Sequence, residues 1–274
     1  MDRSSRLAKR NGDEMNNKGM PSVLVGTTAS SNKSYILEKY LNRIIELSYP
    51  NYDLSIVVSQ KDENYGMKIA QMLEDRNFWR FEIIIDAWVA KPQIRVTSHH
   101  NKLREVTLLG EYDYLFIVDQ DIIPPVDAIE QLISVGGDVV TGLYKIKHND
   151  TIVNCVWKRR MVLKNGKLCA NWYTDDEISN DPIEIDGGFG TGCCLIKKDV
   201  LNYVYFRAGA NNNNFQDGIF WFDVKNMGFK TFLNGNVKCE HFQSNWDPLF
   251  EEYVKEVKRN GRRDETIQKN KLDS

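Results

Sequence analysis

The apolar residues of the first 140 positions change their spacing from segment to segment. Short continuous runs occur in PSVLVGTT, DLSIVVSQKD, FEIIID and YLFIV, and they are typical of buried strands. Between these runs, apolar residues recur every three or four positions, as in amphipathic helices. The helical positions are Ile36, Leu37, Tyr40, Leu41, Ile44 and Ile45, then Ile69 to Leu73, then Leu103, Val106 and Leu109. The alternation predicts an α/β fold with a mainly parallel central sheet flanked by helices.

After residue 140 the pattern becomes mixed. The segment TIVNCVWKRRMVLKNGKLCANWY predicts two antiparallel strands joined by a turn at Asn165-Gly166. The segment FQDGIFWFDVKNMG predicts a helix that stops at Gly228, and the strand FKTFL follows it. We therefore predict one domain over 21–246, with a parallel half at 21–140 and a mixed half at 141–246.

The two ends of the chain are polar or charged. Residues 1–20 lack the apolar core of a signal peptide and predict a disordered leader. Residues 247–274 predict a helical or simply charged, solvated tail, and the alternative is a basic arm that rests on an anionic membrane surface. No apolar stretch approaches the roughly 20 residues that a membrane-spanning helix needs.

Composition narrows the class of protein. The 274 residues are 42% hydrophobic and 27% charged, which is ordinary for a folded chain. A net charge of −2 gives no sign of nucleic-acid binding, so no nucleic-acid partner is expected. The five cysteines lack metal-ligand spacing, and their odd number argues against a complete disulfide framework. Reduced thiols predict a cytoplasmic location.

Two carboxylates end the fourth apolar run. Asp119 and Asp121 follow YLFIV, and Pro124 and Pro125 come shortly after. Open parallel sheets bind ligands at the carboxyl ends of their strands, so these acids are expected at a ligand site. Two acids one residue apart can direct oxygens at one divalent cation, which relieves their repulsion. The alternative is a solvated turn in which an aspartate caps the next element.

This arrangement resembles the GT-A glycosyltransferases that use nucleotide sugars, especially the family 2-like group. The resemblance runs from about Ser22 to His241, through VLVGTT, SHHNKLREV…YDYLFIVDQDIIPP, IDGGFGTGCCLIKKDVL and FQDGIFWFDVKNMGFKTFLNGNVKCEH in that order. It implies a GT-A (Rossmann-like) fold in which 21–140 binds the nucleotide sugar and 141–246 binds the acceptor. It implies transfer of a sugar from a nucleoside-diphosphate sugar to an acceptor hydroxyl, with Mn²⁺ or Mg²⁺. The acceptor could be a glycan, a lipid-linked molecule or a protein.

The resemblance also implies roles for single residues. Asp121 matches the direct metal ligand, Asp119 the partner that contacts the ribose or the metal through water, and His241 a further metal ligand. Asp217 matches the general base of inverting members. For His241 the alternative is an ordinary half-buried histidine, and for Asp217 it is a helix N-cap.

Further positions are expected to bind the donor. They are Thr27, Asp62, Asn101, Gly188 and Gly190. The two glycines belong to a stretch whose backbone can approach a ligand closely, and the alternative there is a bulged strand. One tryptophan of the second half is expected to contact substrate, among Trp157, Trp172, Trp221 and Trp246.

The chain departs from the family pattern at three places. Ser59 stands where an aspartate commonly recognises the nucleotide, His100 replaces the arginine of an Arg-Asn pair, and Gln216 replaces a glutamate before Asp217. We expect His99 and His100 to be capping or surface residues. Ser59 and Gln216 keep open a non-catalytic nucleotide- or carbohydrate-binding relative.

Two other enzyme classes place paired acids in a similar way. A nucleotidyltransferase would use Asp119 and Asp121 to hold a metal, and it stays open as an alternative. A phosphatase of the haloacid dehalogenase type fits less well, because its D-x-D usually opens the domain. Here the motif follows three strand-helix units.

Overall fold

The computed structural model describes residues 19–148, 151–164, 167–208 and 216–243. Its strands are β1 (Val23–Ala29), β2 (Tyr52–Ser59), β3 (Phe81–Asp86), β4 (Tyr114–Val118), β5 (Ile122–Ile123), β6 (Val139–Leu143), β7 (Lys145–His148), β8 (Thr151–Asn154), β9 (Val156–Lys164), β10 (Lys167–Trp172), β11 (Ile183–Glu184), β12 (Gly187–Phe189), β13 (Cys193–Lys197), β14 (Thr231–Lys238) and β15 (Glu240–His241). Its α-helices are α1 (Leu37–Ile45), α2 (Glu63–Asp75), α3 (Pro92–Leu109), α4 (Ala128–Ser134), α5 (Lys198–Tyr203) and α6 (Gln216–Asn226). Short 3₁₀ helices span Ser31–Ile36, Gln60–Asp62 and Asp175–Glu177.

Within these residues, eight strands form one sheet in the order β11–β14–β6–β13–β4–β1–β2–β3. Strands β3, β2, β1 and β4 are parallel neighbours, and β14 is parallel to β6. Strand β13 runs antiparallel to both β4 and β6, so β4 and β6 point the same way. The predicted α/β fold with a mainly parallel sheet is confirmed. The carboxyl ends of β1, β2, β3, β4, β6 and β14 therefore lie along one edge.

The centre of the sheet is buried as the apolar runs predict. The side chains of β4 from Leu115 to Val118 have no exposed surface. Helix α3 packs across β1, β2 and β4. A Cβ atom on Gly26 in β1 would lie 2.9 Å from Cδ1 of Leu103 in α3. Glycine at this position thus lets the helix approach the strand closely.

The helix predictions succeed where the apolar spacing matches a helical turn. Helix α1 buries Leu37, Tyr40, Leu41 and Ile44, as predicted. In α3, Leu103 is buried but Leu109 is 85% exposed, so placing both on one face was wrong. Six residues at 3.6 per turn carry Leu109 to another side of the helix. The buried face is instead made by Thr97, His99, His100, Leu103 and Thr107.

The second half of the chain has mixed pairing. Strands β9 and β10 are antiparallel, as predicted, and β12 completes a three-stranded sheet with them. The start of the predicted first strand is separate, because β8 pairs with β7 instead. The turn predicted at Asn165-Gly166 lies outside the described residues. Helix α6 ends before Gly228, whose φ of +81° favours glycine, so the predicted stop is confirmed.

The predicted domain limits, 21–246, stay a prediction. The tail at 247–274 and all of the leader except Gly19 and Met20 lie outside the described residues. In the part of the chain that is described, no helix has both the length and the apolar character needed to cross a bilayer.

Candidate functional site

The D-Q-D turn after β4 is fixed by its middle residue. Gln120 is fully buried, and its Oε1 accepts a hydrogen bond from the Ser30 backbone at 3.0 Å. Its Nε2 donates to the carbonyl of Lys33 at 3.0 Å and to the hydroxyl of Tyr65. These bonds tie the turn to the 3₁₀ helix that follows β1 and, through Tyr65, to α2. The flanking residues Asp119 and Asp121 are held in place by this anchor.

Asp121 lies between two basic side chains. It is 4% exposed, and its Oδ1 accepts from Nζ of Lys33 at 2.8 Å. Its Oδ2 lies 3.6 Å from Nε2 of His241. Burial alone would raise the pKa of Asp121, but His241 and the charge of Lys33 hold it at about 2. Asp121 is therefore ionised throughout the physiological pH range.

Asp119 and Lys33 complete this group of charges. Burial raises the pKa of Asp119, the charge of Lys33 opposes this shift, and the charge of Asp121 adds to it. Burial lowers the pKa of Lys33, but the charges of Asp121 and Asp119 together bring it above its ordinary value. The charges of Asp119, Asp121 and Lys33 thus interact with one another, and these three side chains form one charged cluster.

His241 lies beside this charged cluster because β15 pairs with β5, which directly follows the D-Q-D turn. His241 lies opposite Ile122 in that ladder, and the Phe242 backbone donates to the carbonyl of Asp121 at 2.8 Å. Nδ1 of His241 lies 2.6 Å from the carbonyl of Lys145. A carbonyl only accepts, so Nδ1 carries a hydrogen, and Nε2 is the ring nitrogen that faces Asp121. Such a bond orients histidines that ligate metals.

The three predicted metal ligands suit a divalent cation chemically. Carboxylate oxygens and one imidazole nitrogen fit Mn²⁺, and Mg²⁺ prefers the oxygens. Among the described residues, no three His, Cys, Asp or Glu side chains are grouped closely enough to form a ready metal site. The ammonium of Lys33 instead lies against Asp121. The chemical types of the three side chains thus suit a divalent metal, whereas in this structure the positive charge beside Asp121 is the ammonium of Lys33.

Asp217 lies in the first turn of α6. Its Oδ1 accepts a hydrogen bond from Oγ1 of Thr191 at 2.8 Å. Burial raises the pKa of Asp217 to about 6, a shift that Thr191 opposes and the charge of Asp119 increases. A carboxylate with this pKa is ionised at neutral pH and is a stronger base than an exposed aspartate.

Tyr144 connects Asp217 with the acids of the D-Q-D turn. Its hydroxyl accepts from the Gly192 backbone at 3.1 Å, next to Thr191. Its ring contacts the ring of His241 edge to face, with centroids 5.4 Å apart. Burial raises the pKa of Tyr144, and the charges of Asp217 and Asp119 raise it further. The structure thus brings the four residues predicted for catalysis and metal binding to one site.

Three of the residues predicted to bind the donor make hydrogen bonds to other parts of the protein. Thr27 is buried, contacts the hydroxyl of Tyr40 and donates to the Val118 carbonyl at 3.0 Å. Asp62 accepts from the hydroxyl and backbone of Ser31. Both ends of the Asn101 amide bind the backbone of Phe206, at 2.7 and 2.9 Å. Their contact with a donor stays a prediction.

The two predicted glycines pack against protein atoms. A Cβ on Gly188 would lie 2.2 Å from the ring of Trp157, and one on Gly190 would lie 2.2 Å from the Tyr144 hydroxyl. Glycine is therefore required here by packing, and donor contact stays a prediction. The ring of Trp157 also meets that of Trp172, with centroids 5.5 Å apart at 75°. Trp246 lies outside the described residues.

Two departures from the family pattern contact each other. The prediction that His99 and His100 are surface or capping residues was wrong, because they are 4% and 1% exposed. Nδ1 of His100 lies 3.4 Å from Nε2 of Gln216. Burial lowers the pKa of His100 to about 3, so its ring is neutral, as is the amide of Gln216. This uncharged pair therefore includes the residue next to Asp217 in sequence.

Comparisons with known proteins give matches at the level of structure. No family model matches the sequence, and no curated protein matches it. The structure of GalNAc-T7 with UDP, GalNAc and Mn²⁺ is similar with a TM-score of 0.56 and 10% identity, over 82% of this chain and 44% of that one. The mannosyltransferase PcManGT from Pyrobaculum calidifontis, with GDP-Man and Mn²⁺, is similar with a TM-score of 0.54 and 14% identity. The match covers 89% of this chain and 66% of that one. TarS 1-349 from S. aureus with UDP-GlcNAc has a TM-score of 0.50 and 14% identity, over 82% of this chain and 60% of that one.

These likenesses show that the chain has the GT-A fold. The chain spans less than two thirds of each of the three similar chains.

Proposed function

We propose that the protein is a metal-dependent glycosyltransferase that moves a sugar from a nucleoside-diphosphate sugar to an acceptor hydroxyl with inversion. The observation that carries the proposal is that Asp121 lies 3.6 Å from His241, while the charge of Asp119 acts on both Asp121 and the basic carboxylate Asp217. The similar structures with UDP, GDP-Man or UDP-GlcNAc support a nucleotide-sugar donor, and two of them contain Mn²⁺.

On the donor side, Asp121 and His241 would hold Mn²⁺ or Mg²⁺, with Asp119 assisting. The bound metal supplies positive charge that stabilises the leaving diphosphate. The low pKa of Asp121 keeps this ligand ionised. The bond from His241 Nδ1 to the Lys145 carbonyl orients the ring, so that Nε2, which faces Asp121, is the nitrogen that would bind the metal.

On the acceptor side, Asp217 takes the proton of the acceptor hydroxyl. The acceptor oxygen forms its bond to the anomeric carbon, and the bond from that carbon to the diphosphate breaks with its electron pair on the phosphate oxygen. Attack from the face opposite the leaving group inverts the configuration. Thr191 holds Oδ1 of Asp217 and so orients the carboxylate.

The aromatic residues near Asp217 favour an acceptor with a sugar ring. The ring of Trp157 lies close to the start of α6: a Cβ atom on Gly218 would be 3.9 Å from it. Aromatic faces suit the apolar faces of sugars. A glycan or a lipid-linked sugar would use this surface, and a protein acceptor would not need it.

A cytoplasmic location belongs to the same proposal. Cys155, Cys193, Cys194 and Cys239 are free thiols, which agrees with a reducing compartment. Contact of the charged tail with a membrane surface stays a prediction.

Thermal unfolding with a panel of nucleotide sugars tests the function. A donor that binds only the folded protein raises the melting temperature, and the proposal requires the rise to depend on Mn²⁺. Slow release of nucleoside diphosphate from the selected donor would support a transferase. Release of pyrophosphate from a nucleoside triphosphate would indicate a nucleotidyltransferase. Tight binding without turnover would indicate the non-catalytic relative that Gln216 and Ser59 kept open.

A further inference from the structure

We infer that Lys33 is a built-in cation of the D-Q-D site, which neutralises Asp121 in the metal-free protein and is displaced when a divalent cation binds. The inference rests on the proposed function, because it concerns the metal of that same site. It adds a residue that controls when the metal binds.

The position of the ammonium carries the inference. Nζ of Lys33 lies 2.8 Å from Oδ1 of Asp121, on the carboxylate whose other oxygen faces His241. A divalent cation bound by Asp121 would lie within a few ångströms of this ammonium. Two positive charges at such a distance repel strongly in a site that excludes much of the solvent. The ammonium and the metal therefore compete for Asp121.

The backbone of Lys33 is fixed, but its side chain can leave. Its carbonyl accepts from Nε2 of Gln120 at 3.0 Å, which anchors the residue beside the D-Q-D turn. Its side chain is 36% exposed, in contrast to 6% for that of Asp121. A flexible four-carbon side chain can swing toward solvent by torsional rotation alone. Displacement thus requires no movement of the 3₁₀ helix Ser31–Ile36.

A consequence is that metal and nucleotide bind together. Metal alone must break the Lys33–Asp121 ion pair and leave the two cations close to each other. A diphosphate brings negative charge that compensates both cations. The wild-type protein is therefore expected to bind Mn²⁺ weakly alone and much more tightly with a nucleoside diphosphate.

The test measures Mn²⁺ alone by calorimetry and by the paramagnetic resonance of free Mn²⁺. Lys33→Met removes the competing charge and should bind Mn²⁺ at least about tenfold more tightly than the wild type. Lys33→Arg keeps the charge and should show no gain. Lys39→Met is the matched control, because Lys39 pairs with Glu240 at 2.6 Å, next to His241 in sequence. It should stay within about twofold of the wild type, as exposed ion pairs contribute little.

Each outcome decides a separate point. Unchanged or weaker Mn²⁺ binding by both Lys33→Met and a second neutral variant, Lys33→Gln, overturns the inference if the wild type binds Mn²⁺ with UDP or GDP. An equal gain in Lys39→Met also overturns it, since the effect would then be one of general charge. Absence of Mn²⁺ binding in every variant, with or without UDP or GDP, overturns the metal site itself and with it the proposed function.

Discussion

The hydroxyl of Thr191 donates a hydrogen bond to Oδ1 of Asp217 across 2.8 Å. This bond joins the glycine-rich segment before β13 to the first turn of α6. Burial raises the pKa of Asp217 to about 6, and the bond from Thr191 limits the rise because it favours the ionised form. The carboxylate is thus both oriented and kept basic.

Asp217→Asn should remove most of the transferase activity. The amide keeps the shape of the side chain but cannot accept a proton, so a loss on the order of 10² to 10⁴ in rate is expected for a general base. Donor and metal affinity should stay nearly unchanged, because in the proposed reaction Asp217 acts on the acceptor hydroxyl. Initial rates and calorimetry measure both effects. Near-normal turnover, or a product with retained anomeric configuration, would remove Asp217 from the role of base.

The same variant should be more stable than the wild type at neutral pH. The folded pKa of Asp217 is about 6, above its ordinary 3.8, so the folded state binds the proton more tightly. The protonated carboxyl group of Asp217 therefore stabilises the folded state at low pH, and this stabilisation is lost as the pH rises from about 4 to about 6. Asp217→Asn avoids this loss. The free energy of unfolding of the variant, relative to that of the wild type, should therefore be higher at pH 7 than at pH 4 by at most about 3 kcal/mol. Urea unfolding at the two pH values measures it, and a difference that is independent of pH would contradict the shifted pKa.

Thr191→Val should move the pH dependence of the reaction. Valine keeps the volume but removes the hydroxyl, so the pKa of Asp217 should rise further. The acidic limb of the kcat/KM profile should then shift to higher pH. Thr191→Ser retains a hydroxyl and serves as the control, with a profile close to that of the wild type. An unchanged limb in Thr191→Val would show that another group titrates there.

Asp121→Ala should uncouple the diphosphate from the metal. Asp121 is the ionised carboxylate that faces both Lys33 and His241, so its loss removes the central donor of the predicted metal site. Calorimetry with UDP and GDP, with and without Mn²⁺, should give the same weak affinity in both conditions. Metal dependence equal to that of the wild type would place the metal elsewhere.

The central strands could be predicted because burial on both faces leaves a continuous apolar run. The run from Leu115 to Val118 has this form and is fully buried. Leu109 was misplaced because its apolar character was given more weight than its angular position on α3. His100 was misplaced for a different reason. A histidine can be buried when it is neutral, and nothing in its local sequence marks that state.

The two acids and Asp217 could be found because each lies in a local motif. Lys33, Gln120 and Tyr144 could not be found in this way. Lys33 is 88 residues from Asp121 in sequence, and the parallel order of β1 and β4 brings them together. Gln120 resembled a spacer between two acids, although its buried amide fixes the turn. Tyr144 follows an ordinary strand, and only the fold places it beside His241 and Gly192.

Gly188→Ala should destabilise the protein and weaken the binding of the proposed acceptor. Gly188 pairs with Trp157 across β12 and β9, and its added Cβ would lie 2.2 Å from the indole ring. The ring contacts Trp172, so moving it disturbs a second aromatic side chain. Overpacking of this kind costs about 1–3 kcal/mol. The midpoint of urea unfolding should fall accordingly.

Gly218→Ala is the matched control on the other side of Trp157. Its Cβ would be 3.9 Å from the ring, an ordinary contact, and alanine is favoured over glycine within a helix by up to about 1 kcal/mol. This variant should be at least as stable as the wild type. If Trp157 supports the acceptor, Gly188→Ala should also raise the KM for the acceptor and leave that for the donor unchanged. Equal stability of the two variants would mean that the ring of Trp157 moves freely, and it could not then serve as a fixed surface for a sugar.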